Sequence, residues 1–263
     1  MEKIKKIQTK LAQLKRLLAP SVLFALLCIL ASFAAKQNKT QSCKGVLIKI
    51  ADEENYQFLS KKDILKEVNN NGAILIKGKK TEDIDLPAIE QRLLKNPFVK
   101  TAQAYMDMKG QLKVEVSQRV PLLRVINPTN ESYYIDVEGK RMPLSASFAA
   151  FVPIATPGFA EIQQQERDSV LRIMDSSLFT LSQFLQKDSF ARALTGQIII
   201  EKNNEFTLIP RLGNFIIFLG DVSDLDDKFT RLKSFYRTSL PQAGWETYSR
   251  ISLKYKNQII ANR

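Results

Sequence analysis

Residues 17–35, Leu17 to Ala35, run without a single charged side chain. A helix rises about 1.5 Å per residue, so this run covers roughly 28 Å, close to the hydrocarbon thickness of a bilayer. Lys3, Lys5, Lys6, Lys10, Lys15 and Arg16 precede it, against the lone acid Glu2. A basic flank stays in the cytoplasm, so the pattern predicts a single transmembrane helix with everything after Lys36 across the membrane. Pro20 falls near the helix start, where a missing N–H costs little. A cleaved signal peptide is the competing reading, because Ser32-Phe33-Ala34 offers small residues at a plausible cleavage position. The apolar run exceeds the roughly 7–15 residues of a signal h-region, which favours a retained anchor.

The chain has no histidine. Ser-His-Asp and Cys-His catalysis as usually built are therefore excluded, as is His-ligated zinc. Two cysteines, Cys28 and Cys43, cannot supply a four-Cys site. Cys28 lies inside the apolar run, so no internal disulfide is expected beyond it. Lys and Arg total 39 against 27 Asp and Glu, a net charge of +12. The tail holds much of that excess, and the remaining basic residues are scattered. Lys77, Lys79 and Lys80 form the one tight cluster and read as an exposed turn. No RNA-binding aromatic motif or Cys/His finger accompanies them.

Beyond a polar linker at 36–44, Gly45 to Ile50 alternates as a strand with Val46, Ile48 and Ile50 on one face. Ser60 with Asp63 three residues later marks a helix start, and Ile64, Leu65 and Val68 give its apolar face. Asn69-Asn70-Asn71-Gly72 stops it. A second helix starts near Asp85 with Pro87 in its first turn and carries Ile89, Leu93 and Leu94. Asn96-Pro97 ends it. Phe98 to Met108 and Leu112 to Val116 read as strands around a Lys109-Gly110 turn. The order strand, helix, helix, strand, strand buries all five apolar faces in one small domain at 45–120.

A second domain is expected at 121–263. Tyr133 to Val137 is a strand with a turn at Glu138-Gly139, and 143–158 reads as loop from its prolines. Glu161 to Lys187 has helical spacing. Short β runs follow at Gln197–Glu201, Phe206–Ile209 and Phe215–Leu219. Leu225, Phe229, Leu232 and Phe235-Tyr236 mark a last helix, closed by Pro241 and Gly244. Trp245 to Tyr255 and Asn257 to Ala261 finish the chain as strand-like segments. The fold class is thus α+β: a transmembrane helix, a β-α-α-β-β domain, and a β-rich domain with two helices.

No constellation points to catalysis. The acidic run Asp221 to Asp227 fails the spacing of a calcium loop. It reads instead as a helix start, with Asp224 as N-cap and Asp226 and Asp227 in the first turn. No Gly-x-Ser-x-Gly elbow, dinucleotide loop or P-loop occurs. No cofactor or metal is expected. The chain end differs: Ile251, Leu253 and Tyr255 alternate with Ser252, Lys254 and Lys256. A terminal strand can sit at a sheet edge, where unpaired backbone groups accept a partner strand. The two lysines can equally protect such an edge.

Several runs together carry a family resemblance. They are Ile89-Glu90-Gln91-Arg92-Leu93-Leu94-Lys95-Asn96-Pro97-Phe98-Val99, Gly110-Gln111-Leu112, Gln118-Arg119-Val120-Pro121 and Tyr134-Ile135-Asp136-Val137-Glu138-Gly139. Leu208 to Gly213 with Phe215 to Gly220 adds paired strands before the last helix. In this order they resemble the bacterial cell-division family FtsQ/DivIB, nearest its Bacteroidetes branch by Met142-Pro143-Leu144-Ser145 and Tyr255-Lys256-Asn257-Gln258. Gln118 stands where the family usually has Glu.

The resemblance implies that the first domain is POTRA-like. It also implies a non-enzymatic scaffold of the division septum, with its N-terminus cytoplasmic and its domains periplasmic. The implied partners are FtsB and FtsL-type single-pass proteins, the former adding a strand to the last strand of the β domain. The family's basic-Tyr pair falls on Lys254 and Tyr255, and the expected binding strand comprises Ile251, Ser252, Leu253, Lys254, Tyr255 and Lys256. Other division proteins would meet the POTRA-like domain or the anchor. Two alternatives stay open: an anchored cell-wall hydrolase working through carboxylates, and a POTRA-type outer-membrane assembly or secretion factor.

Overall fold

A computed structural model describes residue 26, residues 42–127, residues 131–158 and residues 177–263. The predicted anchor at 17–35, the basic tail at 1–16 and most of the linker lie outside the described residues, except Leu26, which is helical. Among the described residues no helix is long and apolar enough to cross a membrane. The chain divides into two units, one comprising Leu59–Ser117 with the segment ending at Ala51, the other Asp52–Phe58 with Gln118–Arg263.

The first unit follows the predicted order. Strand β1 spans Gly45–Ala51, helix α1 Lys61–Val68, helix α2 Leu86–Leu94, strand β2 Val99–Met106 and strand β3 Gln111–Gln118. The predicted start of α1 is a complete capping box. Ser60 Oγ accepts from the Asp63 amide at 3.2 Å, and the Asp63 carboxylate accepts from the Ser60 amide at 3.2 Å. This satisfies amide donors that a helix end leaves open. Hydroxyl donation from Ser60 Oγ to Asp63 at 2.6 Å holds that carboxyl below its ordinary range. Asp85 caps α2 by accepting from the Ala88 amide at 3.0 Å.

β3 lies between β1 and β2 and runs parallel to β1, with Ile48 opposite Val114. Every second residue of β3 is buried, so one sheet face carries the core. Ile64 and Val68 of α1 and Ile89 and Leu93 of α2 fill it. Leu65 and Leu94, expected on the apolar faces, are instead exposed at the margins. The helices are tied by Arg92, whose guanidinium donates at 3.2 Å to the carbonyls of Glu67 and Val68. Those carbonyls end α1, where the regular helical ladder runs out.

The second unit is a nine-stranded sheet. Its strands are β4 Pro121–Ile126, β5 Ser132–Asp136, β6 Arg141–Met142, β7 Ile154–Pro157, β8 Thr195–Ile200, β9 Phe206–Pro210, β10 Ile216–Gly220, β11 Arg250–Ser252 and β12 Ile260–Asn262. Their order across the sheet is β12-β11-β10-β9-β8-β7-β4-β5-β6. The helices are α3 Phe179–Lys187, α4 Ser189–Leu194, α5 Leu225–Ser234 and α6 Leu240–Ala243. One core joins Leu181, Leu185, Ile198, Leu208, Ile217, Phe229, Leu232, Ile251 and Leu253.

Four expectations need correction. The stretch 143–158 was expected to be loop, yet β7 lies inside it and pairs parallel with both β4 and β8. At four residues the strand is too short to show an alternation, and Pro153 before it and Pro157 at its end mask it. The unit has more than two helices, because Asp188 ends α3 and caps α4, accepting from the Ala191 amide at 2.7 Å. Pro241 does not close the last helix. The chain passes through a π turn at Phe235–Ser239 into α6, where Pro241 sits in the first turn. Gly244, with φ 95°, makes the stop. Finally, Trp245 to Tyr255 is not one strand: only 250–252 pairs, and the chain turns back to form β12. The predicted helix at 161–187 is described only from residue 177 onward.

Candidate partner-binding edge

Two of the motifs that carried the resemblance meet in space. Arg119 of the Gln-Arg-Val-Pro run donates to Asp136 of the Tyr-Ile-Asp run at 2.8 Å. Asp136 is buried, and its other oxygen accepts from the amides of Glu138 at 2.9 Å and Lys140 at 2.7 Å. One carboxylate therefore builds the turn into β6 and anchors the start of β4. Gln118, also buried, donates to the Tyr56 carbonyl at 2.7 Å. A glutamate there would have no proton to give that carbonyl, which accounts for the amide in this chain.

The C-terminal edge is built on β10. β11 runs parallel to it, with Ile217 opposite Ile251 and Phe218 opposite Ser252. The ladder extends one residue further, as the Leu253 amide donates to the Phe218 carbonyl at 2.8 Å. Ile251 and Leu253 point into the core and are fully buried. On the opposite face Arg250 lies 4.8 Å from the Phe218 ring centroid and Lys254 5.7 Å from it. The chain turns at Tyr255 to Asn257, where Asn257 has φ 58°, a left-handed backbone that asparagine tolerates. β12 then returns antiparallel to β11, with Ile251 opposite Ala261.

Of the predicted binding residues, Ile251 and Ser252 lie in an inner strand between β10 and β12, and Leu253 is core. Lys254, Tyr255 and Lys256 are exposed on the hairpin turn. Tyr255 is 51% exposed. The terminal strand of the sheet is β12, which overlaps the strand-like run 257–261 but was not expected to form the edge.

A charged cleft of about 260 Å³ underlies this turn, with Glu205, Asp221, Asp224 and Asp227 facing Lys228, Arg231, Lys254 and Lys256. Each acid has a cation. Glu205 meets Lys254 at 2.6 Å, Asp224 meets Lys256 at 3.2 Å, Asp227 meets Arg231 at 2.9 Å and Asp221 meets Lys228 at 2.9 Å. Lys228 is buried and also donates to the Asp221 carbonyl at 2.8 Å. Hydrogen bonds from the Ser223 hydroxyl and then Lys228 hold the Asp221 carboxyl down at about 2. The bond to Glu205 raises Lys254 above its ordinary value.

The acidic run was expected to start α5 with Asp224 as a side-chain cap. Asp224 does occupy the cap position, with φ 51°, but its side chain bonds no helix amide and pairs with Lys256. Arg231 reaches from α5 to the carbonyls of Tyr255 and Gln258, the first at 3.1 Å, and so fastens the hairpin to the helix. Its pairing with Asp227 was readable as an i,i+4 contact. Its reach to carbonyls far along the chain left no trace in the sequence. Gly220, with φ 75°, permits the close approach: an added Cβ would stand 3.2 Å from Lys254 Cγ.

Residues 120–262 match the family described as FtsQ/DivIB, C-terminal related, and residues 41–117 match a POTRA-like domain. A cell division protein FtsQ of Rhodothermus marinus is 27% identical over 185 residues, which is 68% of this chain and 65% of the relative, just under two thirds of its length. A cell division protein FtsQ of a Geobacter species (strain M21) is 26% identical over 213 residues, 76% of this chain and 73% of the relative. With the match running over residues 120–262, more than half of the chain, this chain belongs to the FtsQ/DivIB family of cell-division proteins.

Proposed function

We propose that this chain is a non-enzymatic scaffold of the division machinery that takes a partner strand at its C-terminal hairpin. Residues 17–35 anchor it in the cytoplasmic membrane, with 1–16 in the cytoplasm and the POTRA-like and β domains, 45–120 and 121–263, on the far side at the septum. Its partners are small single-pass proteins of the FtsB and FtsL type. The observation that carries this reading is the sheet edge at β12, beside a turn that presents Lys254, Tyr255 and Lys256 to solvent. An edge strand offers backbone donors and acceptors to an added strand, and neighbouring side chains select the partner. Tyr255 supplies apolar contact area, and Lys254 and Lys256 favour an acidic segment. Ile251, Ser252 and Leu253 hold the platform in the core and set its register. The family supports the septal location, and the charge-free run supports the anchor.

The test is capture of the FtsB-type partner from membranes by the full chain and by Tyr255→Ala and Lys254→Glu, each checked by circular dichroism. Both positions are exposed, so the fold is expected to survive. Loss of capture by both variants supports the site. Capture unchanged by both moves the site elsewhere.

A further inference from the structure

The lysine assigned to an acidic partner is already occupied. Lys254 Nζ lies 2.6 Å from Glu205 Oε1, the shortest ion pair at this edge, and the neighbouring Lys256 is held by Asp224 at 3.2 Å. Glu205 immediately precedes β9, so its backbone is fixed by the sheet. Lys254 is stationed opposite it by the ladder from Leu253 to Phe218 and by the bare Cα of Gly220. The pair is half open to water, with the lysine side chain 45% and the glutamate 23% exposed. A carboxylate arriving from outside can therefore reach the ammonium group, but Glu205 is there first.

We propose that Glu205 is an intramolecular competitor for the partner's acidic residue, so that docking proceeds by exchange of one carboxylate for another on Lys254. The inference rests on the partner-binding reading above and adds a specificity device to it. A neutral strand gains nothing from the exchange and leaves the internal pair closed. An acidic strand replaces Glu205 with its own carboxylate and keeps the lysine paired throughout. Without Glu205 the lysine would attract any anion. With it, only a segment that also satisfies the strand edge and Tyr255 displaces the internal acid. Specificity gained by opposing the wrong partner costs some affinity for the right one.

The experiment measures binding of the soluble ectodomain of the FtsB-type partner, and of a copy with its acids changed to amides, to the full chain in detergent. Glu205→Gln is expected to tighten the acidic probe about threefold, in the range an exposed ion pair supports, and to leave the amide copy unchanged. Asp226→Asn, an exposed acid of the same region, controls for net charge and is expected to do nothing. In a Lys254→Gln background the Glu205→Gln effect should vanish. Unchanged or weaker binding by Glu205→Gln overturns the exchange while leaving the binding site standing. An equal gain from Asp226→Asn, or a gain that persists without Lys254, also overturns it. No binding by any form overturns the site and the exchange together.

Discussion

Arg231→Ala should loosen the C-terminal hairpin without unfolding the sheet that carries it. Arg231 donates to the carbonyls of Tyr255 and Gln258 and pairs with Asp227, and its side chain is 15% exposed. Hydrogen bonds to a charged group contribute about 1.5–3 kcal/mol each when the partner stays dry. The carbonyls here lie on an exposed turn where water can replace the arginine, so the two together are assigned about 2 kcal/mol, with about 0.4 kcal/mol from the helical pair. Roughly 2 kcal/mol corresponds to about a thirtyfold rise in local opening. Native-state hydrogen exchange reads this directly. The amides of Leu253 and of β12 should exchange about thirtyfold faster, with those of β8 and β9 unmoved. Uniform acceleration through the sheet would mean that Arg231 supports the whole unit. Unchanged exchange at Leu253 would mean that the helix does not hold the hairpin.

Leu253→Ala should destabilise the second unit by about 2–5 kcal/mol, because a fully buried side chain leaves a cavity; urea unfolding checks it. Gly220→Ala should cost about 1–2 kcal/mol from its left-handed backbone, plus the push against Lys254, and a falling Tm with weakened partner capture would report both. Ser60→Ala should lower the stability of the first unit by about 1 kcal/mol through loss of the capping box. Asp221 has its folded pKa depressed from 3.8 to about 2, so its contribution is complete above about pH 4 and is lost as pH falls toward 2. Asp221→Asn should flatten the stability profile in that window, and no change in acid unfolding between the two forms would refute the assignment.

Local signals in the sequence translated directly. Ser60 with Asp63, Asp85 with Pro87, and Gly110 between two alternating strands each encode a contact within a few residues, and each appears as expected. Features that depend on distant chain were harder. β7 reads as a proline-rich loop and becomes a strand because β4 and β8 supply both its neighbours. Pro241 reads as a stop and is absorbed because a π turn before it resets the helix. At the candidate site, Lys254 and Tyr255 were legible from alternation and family pattern. The return of the chain at Asn257 was hinted at only by an asparagine, and the strand-like run 257–261 overlaps β12 without revealing that it covers β11 as the outer strand. Glu205 and Arg231 belong to other elements and are brought to the hairpin solely by the order of the sheet.

The most direct measurement is site-specific photocrosslinking in dividing cells, with the crosslinker placed in turn at Tyr255, at Ile260 on β12 and at Arg141 on β6 at the opposite end of the sheet. The account predicts adducts with a small single-pass protein from positions 255 and 260 and none from 141. Adducts from 141 alone, or from neither end while the partner is still captured, would contradict strand addition at the C-terminal hairpin.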